Sequence, residues 1–325
     1  MTSLSAPRTL AELRKDYLAT NPNVQSGHTI RLLQTSEMHF RNYLRREPLL
    51  SDLTDRNMAG FIRHRQGLGR ADATVEREAA KLMCLWRYAA SRAWALPPMI
   101  RIEKAKPGEP VAFLRHELRL LFRGARRYDT QIVPGSHGGR RVGERPAAIQ
   151  GGALLYPLLW VLWDTAERIG ALCEVKREDF RPSYGWFGRI NGGWLTITAR
   201  KGGGRPMTRK LRRTTAVEIM RLLEMHQHPK LFGVIHRGTM YYHLEKLLRQ
   251  CGLPTDRKHK FHCMRRSHAS YLKRSGGDAT DSLGDSSEEI TRVRYFDRRI
   301  TQRRQHVDYL FSPLGIMEGF WGLFR

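Results

Sequence analysis

Residues 261–278 read FHCMRRSHASYLKRSGGD. The pattern predicts a helix whose first turn carries His262 and, three residues on, Arg265, so both project from one face, near the end whose dipole attracts anions. Such a pair also stands on ordinary surfaces, so its meaning depends on what the rest of the chain brings. Working outward, Arg168 follows an apolar run in DTAERIGAL (164–172), where it needs an anionic partner or a path to solvent. Lys201 opens KGGGR (201–205), a turn whose missing side chains allow close approach to a ligand. Tyr295 lies in SSEEITRVRYFDRRI (286–300) among Arg292, Arg294, Arg298 and Arg299. Singly, each has an ordinary structural explanation. Together, in the order Arg, turn Lys, His-x-x-Arg and Tyr, they are what transesterification of a phosphodiester without a metal requires. The Tyr hydroxyl is the nucleophile, two arginines hold the non-bridging oxygens, the lysine protonates the leaving oxygen, and the histidine moves a proton on the attacking side.

The composition agrees with a polyanionic partner. The chain has 325 residues, 57 Lys+Arg against 31 Asp+Glu, and a formal net charge of +26. Residues 1–110 hold 18 basic and 11 acidic side chains, a net of +7, which leaves +19 for residues 111–325. Both parts are therefore expected to touch the polyanion. With 41% hydrophobic and 27% charged residues, wholesale disorder is excluded. Cys84, Cys173, Cys251 and Cys263 are too scattered for a CxxC pair, so no disulfide framework is expected. The polar N-terminus and the short apolar run LLYPLLWVLW (154–163) predict neither a secretory signal nor a membrane span, and a cytoplasmic, nucleoid-associated protein is expected.

Hydrophobic spacing predicts a four-helix N-terminal domain over residues 1–100. Thr9 and Glu12 form a capping-box pattern, Thr54 opens a third helix, and Val75, Ala79, Leu82, Trp86 and Ala89 make the stripe of a fourth. RIEKAKPGEPVA, residues 101–112, reads as an extended linker. The second domain, 113–325, is expected to be mainly helical with one small antiparallel sheet: WFGRI, a turn at Asn191–Gly192, WLTITAR, the Lys201 turn and RPMTRKL. Helices resume near Thr215, Thr239, His262 and Glu288. Residues 300–325 carry Tyr309, Leu310, Phe311, Phe320, Trp321 and Phe324, enough apolar mass to predict a tail that docks on its own core or on a neighbouring protomer.

On these motifs the chain resembles the tyrosine recombinase, or phage integrase, family. TAERIGALCEVKREDF looks like its first arginine box, WLTITARKGGGR like its lysine hairpin, and FHCMRRSHASYLKRSGGDATDSLGDSS like its His-x-x-Arg box. ITRVRYFD looks like its nucleophile helix. The resemblance implies a two-domain DNA clamp, with a helical SAM-like core-binding domain ahead of a catalytic domain. It implies Arg168, Lys201, His262, Arg265 and Tyr295 as the catalytic set, a 3′-phosphotyrosyl intermediate, no cofactor, and double-stranded DNA as partner. It further implies a homotetramer on two duplexes, with a monomer or dimer when free.

The chain departs from the family pattern at three points. Asp285 stands where the family usually has a second histidine or a tryptophan; a carboxylate there accepts hydrogen bonds and repels the phosphate. Ala171 occupies a position often acidic in the family. The spacing from Asp285 to Tyr295 is ten residues against the commoner nine, which the intervening loop must absorb. Asp285 keeps open a DNA-binding protein of the same fold with impaired or lost cleavage, and a type IB topoisomerase-like relaxase, which shares the chemistry, is a further alternative. Cys251, His259, His262, Cys263 and His268 match no common zinc-finger spacing, and KGGGR lacks the length and the terminal Lys-Ser/Thr of a P-loop.

Overall fold

The computed structural model describes residues 8–24, 26–132, 148–198, 206–233, 235–285 and 287–301. The chain divides into two compact units, Met1–Pro107 and Gly108–Arg325.

In the first unit, α1 (Leu10–Thr20), α2 (Gly27–Leu44), α3 (Asp55–Gly67) and α4 (Asp72–Ser91) follow the hydrophobic stripes of the sequence. Thr9 and Glu12 close the capping box at the head of α1, and the Thr54 side chain caps α3. The stripes meet in a core of Leu10, Leu13, Leu33, Phe40, Met58, Phe61, Leu82 and Trp86, each essentially sealed from solvent. Each such side chain contributes roughly 1.5–3 kcal/mol. Arg65 is also buried and donates to both carboxylate oxygens of Glu78, at 2.7 and 2.9 Å. That geometry satisfies a guanidinium that burial alone would reject.

Residues 101–112 contain no helix or strand, yet they are no free spacer. The Ala105 amide donates to Glu76 at 2.9 Å, and Ile100 and Ile102 pack on the core of the first unit. The Ala112 amide donates to Asp297 at 2.8 Å within the second unit.

The second unit is built round α6 (Gly151–Thr165). Leu154, Leu155, Leu158, Leu159, Val161 and Leu162 are all fully buried, so this helix is apolar all round and takes the central place. It starts hard against the end of α5 (Arg115–Arg126): the Gly152 amide donates to the Tyr128 carbonyl at 2.6 Å. A Cβ on Gly152 would lie 2.9 Å from both the Ala125 and Tyr128 carbonyl oxygens. Just before α6, β1 (Gln131–Ile132) and β2 (Ile149–Gln150) pair antiparallel. The Gly-rich stretch PGSHGGRRVGERPAAIQGG, residues 134–152, lies mostly outside the described residues.

β3 (Phe180–Tyr184), β4 (Ile190–Ile197) and β5 (Met207–Leu211) form the predicted antiparallel sheet in the order β3–β4–β5. Its first turn differs from expectation. Trp186–Gly188 makes the reversal, and Asn191–Gly192 lies inside β4, beside a register shift at Ser183–Tyr184. Gly192 is needed there for another reason: its φ is 154°, and a Cβ would meet the Leu211 carbonyl oxygen at 2.9 Å. The remaining helices are α7 (Ile169–Leu172), α8 (Arg213–Met225), α9 (Arg237–Gln250), α10 (Phe261–Arg274), α11 (Ala279–Leu283), α12 (Glu288–Tyr295) and α13 (Arg298–Thr301). No helix among the described residues is long and apolar enough to cross a membrane. Of the tail, residues 302–325, with Tyr309, lie outside the described residues.

Candidate active site

The site begins with the way α6 ends. Ala166 takes the left-handed conformation, φ 52°, and its amide donates to the Leu162 carbonyl at 2.9 Å. A residue with a Cβ adopts that region at a cost of about 1 kcal/mol, so neighbouring contacts must hold it. They do: the Ala166 carbonyl accepts from Arg265 Nη1 at 2.6 Å. The turn also places Arg168 as the N-cap residue of α7, with its side chain 37% exposed.

Arg265 projects from the second turn of α10 and is 1% exposed. Its Nη1 reaches the end of α6 at Ala166, and its Nη2 donates to the Leu283 carbonyl at 3.0 Å, at the end of α11. One guanidinium therefore ties together two helix C-termini, where cations are favoured. Its face lies over the Tyr295 ring, Cζ to centroid 5.1 Å.

Tyr295 closes α12 and is 4% exposed. Ser287 caps the start of that helix. At the other end the Ser270 hydroxyl donates to the Tyr295 carbonyl at 3.1 Å and accepts from the Asp297 amide at 2.9 Å. The His262 ring lies beside the Tyr295 ring, centroids 5.4 Å apart and tilted by 51°. His262 is an exposed residue, yet desolvation on the packed side of its ring, and then the charges of Arg266, Arg265 and Arg168, push its pKa down to about 4. At neutral pH its imidazole is therefore uncharged, and a weaker base than a free imidazole.

Asp285 follows Gly284, which ends α11 in the left-handed conformation. Its side chain is 10% exposed. Oδ1 lies 3.5 Å from Arg265 Nη2 and 3.8 Å from Arg168 Nη2, and Oδ2 accepts from the Thr291 hydroxyl at 3.4 Å. Although ten residues apart, Asp285 and Tyr295 both reach Arg265. Ala171, at the position where an acidic residue is common, is buried at 7% exposure.

Arg168, His262, Arg265, Asp285 and Tyr295 are thereby assembled at one place. Lys201 lies outside the described residues, which include the strands on either side of it, paired as far as Ile197 and Met207. Sequence reasoning missed three contributors. The Thr291 hydroxyl links Asp285 to the nucleophile helix. Arg266, one helical turn after His262, adds to the field on that imidazole. His268, weighed only as a metal ligand, is structural: Nδ1 donates to the Trp163 carbonyl at 2.6 Å, and Nε2 accepts from the Ser282 hydroxyl at 2.9 Å. Its position one turn after Arg265 was the available signal. Among the described residues no group of three or more His, Cys, Asp or Glu is placed to hold a metal ion.

No protein-family model and no curated protein matches the chain. Solved structures do. A lambda integrase dimer bound to a COC′ core site superposes with a TM-score of 0.66 at 17% identity, covering 92% of this chain and 80% of that one. A lambda integrase tetramer bound to a Holliday junction gives 0.64 at 17% identity, with 93% and 80% covered. XerH site-specific recombinase in a post-cleavage complex with palindromic difH gives 0.63 at 15% identity, with 87% and 79% covered. At such identities the likeness carries the architecture. The chain has the fold of the tyrosine recombinases.

Proposed function

We propose that the chain is a site-specific DNA strand transferase, a recombinase or integrase that cuts and rejoins duplex DNA through a 3′-phosphotyrosyl intermediate. The observation that carries this reading is the convergence on Tyr295: the guanidinium of Arg265 over one face of its ring and the neutral imidazole of His262 beside it. In the proposed reaction Arg168 and Arg265 hold the non-bridging oxygens of the scissile phosphate. His262 accepts the Tyr295 hydroxyl proton as the tyrosyl oxygen bonds to phosphorus. The bond to the 5′ oxygen breaks, and Lys201 protonates that oxygen. The free 5′-hydroxyl then attacks the phosphotyrosyl bond of a partner duplex and restores Tyr295. Ester bond energy is conserved, so the cycle asks for no nucleotide. The net charges of +7 and +19 in the two parts of the chain support a grip on duplex DNA by both units. By analogy with the lambda integrase structures on a core site and a Holliday junction, the working assembly is a tetramer on two duplexes.

Asp285 favours a second reading, a DNA-binding protein of this fold whose cleavage is impaired. Its carboxylate lies between the two arginines that would hold the phosphate, and loss of one stabilising donor at such a site costs on the order of a hundredfold in rate. A strand-exchange assay separates the possibilities. Duplexes that bind the protein are first selected from a random-sequence library, then placed in pairs on a plasmid and incubated with the protein in EDTA without nucleotide. The strand-transferase reading predicts recombinant product. A shifted band with no product supports the binding protein, and relaxation of a plasmid lacking the selected sequence supports a relaxase.

A further inference from the structure

We propose that Asp285 is a resident anion occupying the phosphate seat, and that the scissile phosphate enters by displacing its carboxylate from Arg265 and Arg168. The identity of the displacing group rests on the strand-transfer reading above. Three observations carry the proposal.

First, Arg265 is sealed, with 1% of its side chain exposed and both Nη atoms anchored on the carbonyls of Ala166 and Leu283. A buried guanidinium anchored in this way cannot swing out to meet a ligand. A phosphate reaches it only by replacing a group that covers it, and the covering groups include Asp285 and the Tyr295 ring. Tyr295 has to stay, because it attacks. Asp285 is the group that can leave.

Second, its hold on the arginines is long-range. The Oδ1 separations of 3.5 and 3.8 Å exceed the roughly 2.7–2.9 Å of charge-assisted hydrogen bonds. Elsewhere in the chain Arg65 and Glu78 make the tight version, 2.7 and 2.9 Å with both oxygens engaged. Asp285 supplies charge to the pair of arginines while making none of the short bonds that would lock it. A phosphodiester, with two non-bridging oxygens, can offer each arginine its own acceptor, so exchange gains the bonds that Asp285 leaves unmade.

Third, the other carboxylate oxygen faces the nucleophile helix. Oδ2 accepts from Thr291, one helical turn before Tyr295 on the same face of α12. The same carboxylate thus touches the arginines and α12, and its departure alters both at the moment phosphate arrives. Asp285 is therefore a positioning residue, offsetting one of the two positive charges of Arg168 and Arg265 until phosphate takes its place.

The test is binding of inorganic phosphate to the full chain, followed by ³¹P line broadening, with wild type, Asp285→Asn, Asp285→Ser and Asp285→Glu compared. Both neutral variants are expected to bind phosphate at least tenfold more tightly than wild type. Asp285→Glu, which keeps the charge, should stay within about threefold of wild type. Adding Arg265→Ala to Asp285→Asn should abolish the gain, which separates the seat from the many surface arginines. The proposal is overturned if neither neutral variant binds more tightly, or if Asp285→Glu gains as much as they do. Using two neutral variants of different size guards against one of them folding poorly. The same variants are then given a nicked duplex. A phosphate gain with no covalent adduct from any variant would retire the strand-transfer reading and leave the resident anion standing; an adduct without the gain would do the reverse.

Discussion

Replacing Arg265 by alanine should damage the second unit's stability as well as its chemistry. The guanidinium donates to two carbonyls, Ala166 at 2.6 Å and Leu283 at 3.0 Å, and faces Asp285 at 3.5 Å. Truncation removes the guanidinium from two carbonyl oxygens at helix ends and leaves a nearly buried carboxylate with the partly exposed Arg168, 3.8 Å away. Breaking a buried pair in this manner costs about 3–5 kcal/mol. For a unit of about 200 residues that corresponds to a fall in Tm on the order of 10 °C. Arg265→Lys should fall between wild type and alanine, because one ammonium cannot bridge both carbonyls. Removing the carboxylate together with the arginine should restore part of the loss: Arg265→Ala with Asp285→Ala should show a coupling of about 1–3 kcal/mol. Thermal unfolding followed by circular dichroism measures all five proteins: wild type, Arg265→Ala, Arg265→Lys, Asp285→Ala and the double variant. A Tm for Arg265→Ala within about 2 °C of wild type, equivalent to less than about 1 kcal/mol, would refute the claim that this arginine joins α6 to α11.

Three further outcomes follow from the same structure. The His262 pKa of about 4 lies below its unfolded value near 6.5, so as pH falls the unfolded chain takes the proton first. Its contribution to stability is complete above about pH 6.5 and is lost as pH falls from there toward about 4; the residue is exposed, so solvent screening holds the loss to on the order of 1 kcal/mol, and urea titrations at pH 7, 5.5 and 4.5 should show a shallower loss in His262→Asn than in wild type. Gly152→Ala presses a Cβ to 2.9 Å from two backbone carbonyl oxygens that cannot yield, and should cost about 1–3 kcal/mol in the same urea assay. Glu78→Gln leaves the buried Arg65 without its anion and should destabilise the first unit by about 3 kcal/mol, read as faster proteolysis within residues 8–107.

The sequence disclosed the parts of this molecule governed by short-range rules. Helical stripes located α1 to α4, and Thr9, Glu12 and Thr54 marked two of their starts because capping depends on neighbours three residues away. Arg168, His262, Arg265, Asp285 and Tyr295, which the structure brings together, were singled out in the sequence by type and order; their chemical roles are the proposal made above. The Asn191–Gly192 turn was misplaced because an Asn-Gly pair signals only that glycine is needed, and here a close carbonyl inside β4 needs it. The left-handed turn at Ala166 carries no glycine, so nothing local announced it; it depends on Arg265, almost a hundred residues later. For the same reason Asp285 read as an obstacle to phosphate, because its placement between Arg168 and Arg265 is a tertiary fact. His268 resembled a ligand in composition and proved to be a half-buried strut.

The central claim is that Tyr295 becomes covalently joined to DNA. Its most direct test is a nicked duplex library, in which cleavage next to the nick releases a short fragment and traps the intermediate, with products resolved on a denaturing gel and digested for mass spectrometry. The account predicts a protein–DNA adduct from wild type, with a 3′-phosphate on the peptide that contains Tyr295, and no adduct from Tyr295→Phe. An adduct that persists in Tyr295→Phe, or one mapped to another residue, would contradict it.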